Sequence, residues 1–136
     1  MAAQDRSGFI QLIERAPFVA MLGLKIESAA DGAATVRMPF DLRILNDGGP
    51  MAAIHGGAIA ALADVAACAA VWSLAATTRS ATISITVNYT GFAVNSDLIA
   101  RAQVKRSGKR IASLSVEVTD ASDALIADAL VTYKIA

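Results

Sequence analysis

The feature that most constrains the fold is an alanine-rich apolar segment, residues 54–76, with one carboxylate, Asp64, near its centre. Nearly all of its side chains are apolar, so a helix formed here must be buried on most sides. Such a helix is roughly 30 Å long at about 1.5 Å per residue. A membrane span is disfavoured because Asp64 would lie in the middle of the lipid and no basic clusters flank the segment. The segment predicts a long central helix inside a globular domain.

Alternating apolar and polar residues on both sides of this helix predict an antiparallel sheet. Two alternating runs flank Asp31-Gly32, a pair that tolerates positive φ at both turn positions, and they predict a β-hairpin. Turns at Ser107-Gly108 and Ser122-Asp123 predict that the strands after the helix form an antiparallel meander. Those strands are expected at residues 80–90, 97–106, 110–119 and 124–135. Strands of this length match the helix, so a twisted sheet can wrap around it.

The whole chain, residues 1–136, is expected to form one α+β domain. Its N-terminal helix falls within residues 1–20, amphipathic over 8–20, and a glycine-rich loop covers 41–52. Hydrophobic residues make up 55% of the chain, which favours a large core or a buried subunit interface. Twelve basic and twelve acidic residues cancel, which disfavours binding to nucleic acid or to an anionic membrane. A single cysteine indicates a reducing compartment, and one histidine with one cysteine does not predict a zinc site.

Two parts of the central segment are candidates for chemistry. Asp64 has small neighbours on its helical face, which leaves room for another molecule; it can act as a base or nucleophile, or be a structural hydrogen-bond acceptor. His55, Gly56 and Gly57 begin the helix, where free backbone N–H groups can hold a polarised carbonyl oxygen. A flexible loop-to-helix turn explains the same residues equally well.

These two parts are far apart within one chain. His55 precedes Asp64 by nine residues, roughly 13 Å along a helix axis, so they cannot form an acid–base pair in one molecule. A two-fold dimer could bring the helix start of one subunit to the acid of the other, and the high apolar content makes such an interface plausible.

The motif "HGGAIAALAD", with "ISITVNYTGFA" after the helix and "VKRSGKRIASLSVEVTDASDALIADALVTYKI" at the end, resembles the PaaI-like group of hotdog-fold acyl-CoA thioesterases. The resemblance covers roughly residues 18–135. It implies a hotdog fold, a long central helix wrapped by a twisted antiparallel sheet of five to six strands. It also implies a homodimer, assembled as a dimer of dimers (a homotetramer), that hydrolyses an acyl-CoA to a free acid and CoA. The single cysteine makes the reducing cytoplasm the expected location. Coenzyme A is then part of the substrate, and no metal or other cofactor is expected.

The resemblance also implies catalytic roles for single residues. Gly56 would donate the N–H that polarises the thioester carbonyl, while His55 and the substrate-binding Gly57 shape that turn. Asp64 of the facing subunit would act as nucleophile or general base. Ser84 would hydrogen-bond the water or Asp64, with Thr82 and Thr86 as alternatives on the same strand face.

Further residues are candidates for placing the substrate. Asn46 would position water or substrate, although it lies nine residues before His55 where the family has about six. Cations that would meet the CoA phosphates are Arg79, Lys105, Arg106, Lys109 and Arg110, four of them in the turn "KRSGKR", which is otherwise a solvated hairpin. The alternative to catalysis is a non-catalytic acyl-CoA-binding or structural hotdog protein.

Overall fold

The computed structural model describes residues 7–49 and 51–136, and it contains a six-stranded antiparallel sheet with one long helix packed against it. The sheet order is β1-β2-β4-β5-β6-β3, so the expected α+β architecture is confirmed. The elements in chain order are α1 (Ser7–Arg15), α2 (Pro17–Leu22), β1 (Lys25–Ala30), β2 (Ala33–Met38), a short 3-10 helix (Leu42–Ile44), α3 (Gly56–Trp72), β3 (Ser80–Tyr89), β4 (Leu98–Ser107), β5 (Ile111–Asp120) and β6 (Leu125–Ile135).

The central helix α3 forms the middle of the hydrophobic core and contacts all six strands. Leu62, Ala66 and Ala70 on its inner face are fully buried, and the small alanine side chains let the strands approach closely. Asp64 lies on the less buried face of the helix. At 17 residues, α3 is shorter than the segment predicted from the sequence, and no helix in the described part of the chain meets the length and hydropathy of a membrane span.

The turn between β1 and β2 confirms the predicted hairpin. Asp31 and Gly32 both have positive φ, at 52° and 83°, and Ala30 pairs directly with Ala33 across them. The Gly32 N–H donates to Ser73 Oγ at 2.8 Å, which ties this turn to the residue that ends α3. This turn therefore also holds the C-terminal end of the central helix against the sheet.

The N-terminal helix predicted over residues 8–20, whose end Pro17 was expected to disturb, is divided at Pro17 into two short helices. Proline lacks an N–H and restricts the preceding residue, so Ala16 adopts φ −54° and ψ 130° and α2 starts in a new direction. The part of the predicted helix over residues 1–6 lies outside the described residues. The result is a bent pair of short helices, α1 and α2, in which α1 packs on α3 and β1.

The meander predicted after the central helix is only partly right. β4, β5 and β6 follow one another through tight turns, but β3 pairs with β6 at the sheet edge and β4 pairs with β2. The link from β3 to β4, residues 90–97, contains no two-residue turn and is long enough to cross two strands. Strands that are consecutive in the sequence therefore pair with each other here only where a tight turn connects them.

Within the described part of the chain, the strand β3 has a neighbouring strand on one side only, so the backbone groups along its other edge have no strand partner there. Its register shifts between Thr82 and Ser84, where Ile83 forms a β-bulge and remains 53% exposed. An exposed ten-residue edge of this kind can accept a strand from a second copy.

Candidate active site

The start of α3 leaves one backbone donor free. His55 is the N-cap, and its Nδ1 accepts a hydrogen bond from the Gly57 N–H at 2.8 Å. The N–H groups of Ala58 and Ile59 donate to the His55 carbonyl oxygen. The Gly56 N–H has no acceptor among the described residues. His55 and Gly57 thus shape the turn as predicted, and Gly56 presents an unpaired donor at the electropositive end of the helix.

The loop before α3 brings Asn46 to this donor. The Asn46 N–H donates to the Ala53 carbonyl at 2.9 Å, and Leu45 pairs with Ile54 at the base of the loop. The extra residues of the loop are therefore contained between Asn46 and Ala53. Asn46 lines the same hollow as Gly56, a space of about 190 Å³ that Phe92 also borders. The long spacing between Asn46 and His55 does not separate the two residues in space.

Tyr89, at the end of β3, closes one side of this hollow. Its hydroxyl donates to the Gly56 carbonyl oxygen at 2.7 Å. A Cβ on residue 56 would lie 3.2 Å from the Tyr89 ring, tighter than an ordinary contact. Glycine at position 56 therefore allows the aromatic ring to pack directly against the first turn of the helix.

Asp64 is half-buried and is held through one oxygen only. Its Oδ1 accepts a hydrogen bond from Thr82 Oγ1 at 2.8 Å and lies 2.7 Å from the Tyr133 hydroxyl, which is also 3.0 Å from the Asp64 carbonyl oxygen. Its Oδ2 accepts nothing from the residues that the structure describes. The carboxylate is thus oriented by two hydroxyls while one oxygen stays open to another molecule.

Tyr133 belongs to the site although its sequence position did not predict it. It is a buried residue of β6, and burial, together with the negative charge of Asp64, raises the pKa of its phenol. The hydroxyl therefore keeps its proton and can donate. The signal was present: a tyrosine on an otherwise aliphatic inward face needs a hydrogen-bond partner for its hydroxyl, and Asp64 was the one acid expected inside.

Thr82, and not Ser84, makes the hydrogen bond to Asp64. The bulge at Ile83 breaks the expected alternation, so Thr82 pairs with the buried Tyr133 whereas Ser84 pairs with Thr132. Thr82 and Ser84 therefore face opposite sides of the sheet instead of sharing one face. The side chain of Ser84 is exposed and makes no hydrogen bond with a described residue.

The acid and the free amide do not meet within one chain. Gly56 and Asp64 are eight residues apart on α3, which corresponds to roughly 12 Å along the helix axis. A thioester carbonyl is a single small group, so one chain cannot contact it with both. Each chain carries two half-sites, an amide half-site (His55, Gly56, Gly57 and Asn46) and a carboxylate half-site (Asp64, Thr82 and Tyr133).

The cations predicted to bind phosphate gather at the opposite end of the molecule from Asn46. Arg79, Lys105, Arg106, Lys109 and Arg110 are all exposed, and none of them pairs with an acid within the described ranges. Lys109 borders a hollow of about 450 Å³ at the C-terminal end of α3. Arg79 borders a second hollow of about 280 Å³ together with Lys134, a cation that the sequence analysis did not single out.

Comparisons with known proteins agree with this architecture. The model of the family described as "Thioesterase superfamily" matches residues 51–127. A Halobacterium salinarum protein with a provisional esterase name is 32% identical over 125 residues, which cover 89% of this chain and 82% of that protein.

Solved structures share the fold. A variant of the phenylacetic acid degradation protein PaaI from Thermus thermophilus superimposes with a TM-score of 0.77 and 28% identity, covering 87% of this chain and 97% of that one. A hypothetical thioesterase from Streptococcus pneumoniae, solved with coenzyme A, gives a TM-score of 0.75 at 22% identity, with 83% and 85% covered. The family match spans more than half of the chain, and the protein therefore belongs to the thioesterase superfamily, with the hotdog fold of the PaaI-like group.

Proposed function

We propose that this protein hydrolyses an acyl-CoA thioester to a free carboxylic acid and CoA, at a site shared between two copies of the chain. The observation that carries the proposal is the pair of unsatisfied groups on α3. Among the residues that the structure describes, the Gly56 N–H is a donor without an acceptor, and the Asp64 Oδ2 is an acceptor without a donor. A thioester needs these two functions, one to polarise the carbonyl oxygen and one to act on the carbonyl carbon.

The shared site requires a homodimer. The free edge of β3 offers a surface on which a second copy can pair strand to strand, and Thr82 and Tyr89 of this strand contact the two half-sites. Pairing about a two-fold axis near β3 would bring the amide half-site of one copy towards the carboxylate half-site of the other. Two such dimers would then assemble into the expected homotetramer.

Two chemical routes are compatible with the geometry. In the first, Asp64 takes a proton from a water molecule as the water oxygen bonds to the carbonyl carbon. The carbonyl oxygen becomes negative and is held by the Gly56 N–H of the other copy. The carbonyl then re-forms as the C–S bond breaks, and the CoA sulfur takes the proton from Asp64 and leaves as the thiol. In the second, Oδ2 itself bonds to the carbonyl carbon, the C–S bond breaks and CoA leaves as a thiolate. Water then hydrolyses the resulting mixed anhydride, which frees Asp64 and the acid, and the proton released from the water goes to the thiolate. Asn46, and Ser84 on the edge strand β3, would place the water or the substrate.

The CoA portion of the substrate is assigned to the cationic end of the molecule. Arg79, Lys105, Arg106, Lys109 and Arg110 have no competing acidic partners among the described residues, so they are available to phosphate groups. The Streptococcus pneumoniae relative was solved with coenzyme A, which supports this class of ligand. Lys134 joins the candidates because it borders a hollow together with Arg79.

The test is a thiol-release assay on a panel of acyl-CoA substrates, with Asp64→Asn as the key variant. Asparagine keeps an oxygen for Thr82 and Tyr133, so folding should be preserved, while kcat should fall by at least about a hundredfold. Asp123→Asn is the matched control, because it removes the same charge at an exposed turn whose positive φ asparagine tolerates. Near-normal turnover by Asp64→Asn would refute the catalytic role. Binding of acyl-CoA by the wild type without release of thiol would favour the non-catalytic alternative.

A further inference from the structure

A hollow of about 410 Å³ lies beside Asp64, between the bent N-terminal helices and α3. α1 and α2 contribute Leu12, Ile13 and Phe18 to its wall, and α3 contributes Val65 and Cys68. Its size falls within the roughly 300–1,000 Å³ typical of small-molecule sites. The hollow and the carboxylate half-site therefore share one wall, formed by Asp64 and Tyr133.

The chemistry of this wall selects an apolar occupant. Asp64 and Tyr133 carry the strongly polar groups that reach the hollow, and they are hydrogen-bonded to each other. The Cys68 thiol stays protonated because burial raises its pKa. Asp64 Oδ2, which faces the reacting carbonyl, is the one open acceptor in this wall, so a further polar group on the acyl tail would lose its hydration without a partner among the lining residues. A second anion would also be repelled by Asp64.

The helices that cover the hollow are fixed in place. Glu14 of α1 accepts a hydrogen bond from the Ile26 N–H of β1 at 3.0 Å, which anchors α1 to the sheet. Ile13 packs against the core from the same helix. Leu12 and Phe18, in contrast, remain 68% and 56% exposed beside the hollow, and large exposed apolar side chains around a cavity are suited to contact with a ligand.

We infer that this hollow holds the acyl group of the substrate, an unsubstituted alkyl chain or aromatic ring, and that Leu12 and Phe18 limit its length. The inference rests on the proposed thioesterase function and adds the substrate class to it. With the carbonyl carbon at Asp64 Oδ2, the acyl tail extends under α1 and α2 and the sulfur side points away from them. The N-terminal helix pair is then the element that determines specificity.

The experiment measures kcat/KM for butyryl-, octanoyl-, dodecanoyl- and succinyl-CoA. Butyryl and succinyl groups have equal carbon counts, but succinyl ends in a carboxylate, so butyryl-CoA should be preferred by at least about a hundredfold. Leu12→Trp narrows the hollow and should lower the octanoyl-to-butyryl ratio by at least about tenfold, whereas Phe18→Ala should raise the dodecanoyl-to-octanoyl ratio. Leu130→Trp is the matched control: that leucine is also 68% exposed but lies on β6, outside the hollow. Its ratios should stay within about twofold of wild type.

The outcomes distinguish the thioesterase function from the acyl site beneath α1 and α2. Hydrolysis of acyl-CoA with these shifts supports both. Hydrolysis with chain-length ratios unchanged in Leu12→Trp and Phe18→Ala, or with succinyl-CoA equal to butyryl-CoA, overturns the acyl site and leaves the thioesterase function standing. Changed oligomeric state in Leu12→Trp with unchanged ratios would assign the hollow to a subunit contact instead. Absence of turnover with these four substrates and with benzoyl-CoA, the aromatic member of the panel, overturns both.

Discussion

Replacing Tyr133 with phenylalanine tests whether the orientation of Asp64 matters for catalysis. The substitution removes one hydroxyl and keeps the buried ring, so the packing of β6 against α3 is retained. Asp64 Oδ1 then keeps only the hydrogen bond from Thr82 at 2.8 Å. The carboxylate gains rotational freedom, and Oδ2 no longer has a single preferred direction into the hollow.

The expected magnitude follows from the strength of the lost contact. A hydrogen bond to a charged acceptor contributes about 1.5–3 kcal/mol, and if all of it serves orientation, kcat falls roughly 10- to 150-fold. The free energy of unfolding should fall by only about 1 kcal/mol, because Thr82 still satisfies the oxygen. KM should change little, because the hydroxyl is already hydrogen-bonded within the protein.

The assay is steady-state release of CoA from the best substrate, measured on Tyr133→Phe, Thr82→Val and the double variant. Because both hydroxyls are needed to hold the same oxygen in one direction, the double variant should lose less activity than the product of the two single losses. A loss equal to that product would indicate independent roles. Thr86→Val is the control, since Thr86 is an exposed residue of β3 with no hydrogen bond to Asp64. A folded Tyr133→Phe enzyme with kcat within about twofold of wild type would refute the positioning role.

Three further predictions concern the other groups of the site. Gly56→Pro removes the free N–H at the first position of the helix, where proline is accepted. Its kcat should be at least about a hundredfold below that of Gly56→Ala, which adds a Cβ but keeps the donor. Equal kcat values for the two variants would contradict the role of the amide. Lys134→Ala should raise KM for acyl-CoA without raising it for the matching acyl-pantetheine, which lacks the nucleotide; equal effects on both would remove Lys134 from the phosphate site. Because burial raises the pKa of Tyr133, the folded protein keeps a proton that the unfolded chain loses above about pH 10, so stability falls there by up to about 1.4 kcal/mol per pH unit. Denaturant titrations should show this slope reduced in Tyr133→Phe, and an unchanged slope would contradict it.

Local patterns in the sequence predicted much of the fold because each has a direct physical cause. The Asp31-Gly32 turn needs two residues that tolerate positive φ, and the last three strands carry alternation with tight turns. The position of β3 could not be predicted this way, because its pairing with β6 joins residues far apart in the sequence and depends on how all the strands pack together. Pro17 was visible in the sequence and α1 ends before it, but the start of a second helix, α2, at the proline itself depends on how α2 packs.

The candidate site was predictable in its main groups and less so in their partners. Asp64 and Gly56 stood out because a carboxylate in an apolar helix and a glycine at a helix start both require a reason. Thr82 contacts Asp64 in place of Ser84 because the bulge at Ile83 shifts the strand by one residue, so that the side chains on its two sides point to opposite faces of the sheet. The alternation of apolar and polar residues in the sequence does not reveal this bulge. Tyr133 meets Asp64 only because β6 and β3 are neighbours, so it follows from the topology rather than from either segment alone.

The most direct test of the shared site is subunit complementation between Asp64→Asn and Gly56→Pro. Each variant alone should be nearly inactive, because every site in its homodimer lacks one of the two groups. Unfolding and refolding an equal mixture gives heterodimers in half of the population, and one of the two sites in each heterodimer then has both groups intact. The mixture should recover about a quarter of wild-type activity. If activity stays at the level of the separate variants although heterodimers form, the acid and the amide act within one chain, and the shared site is wrong.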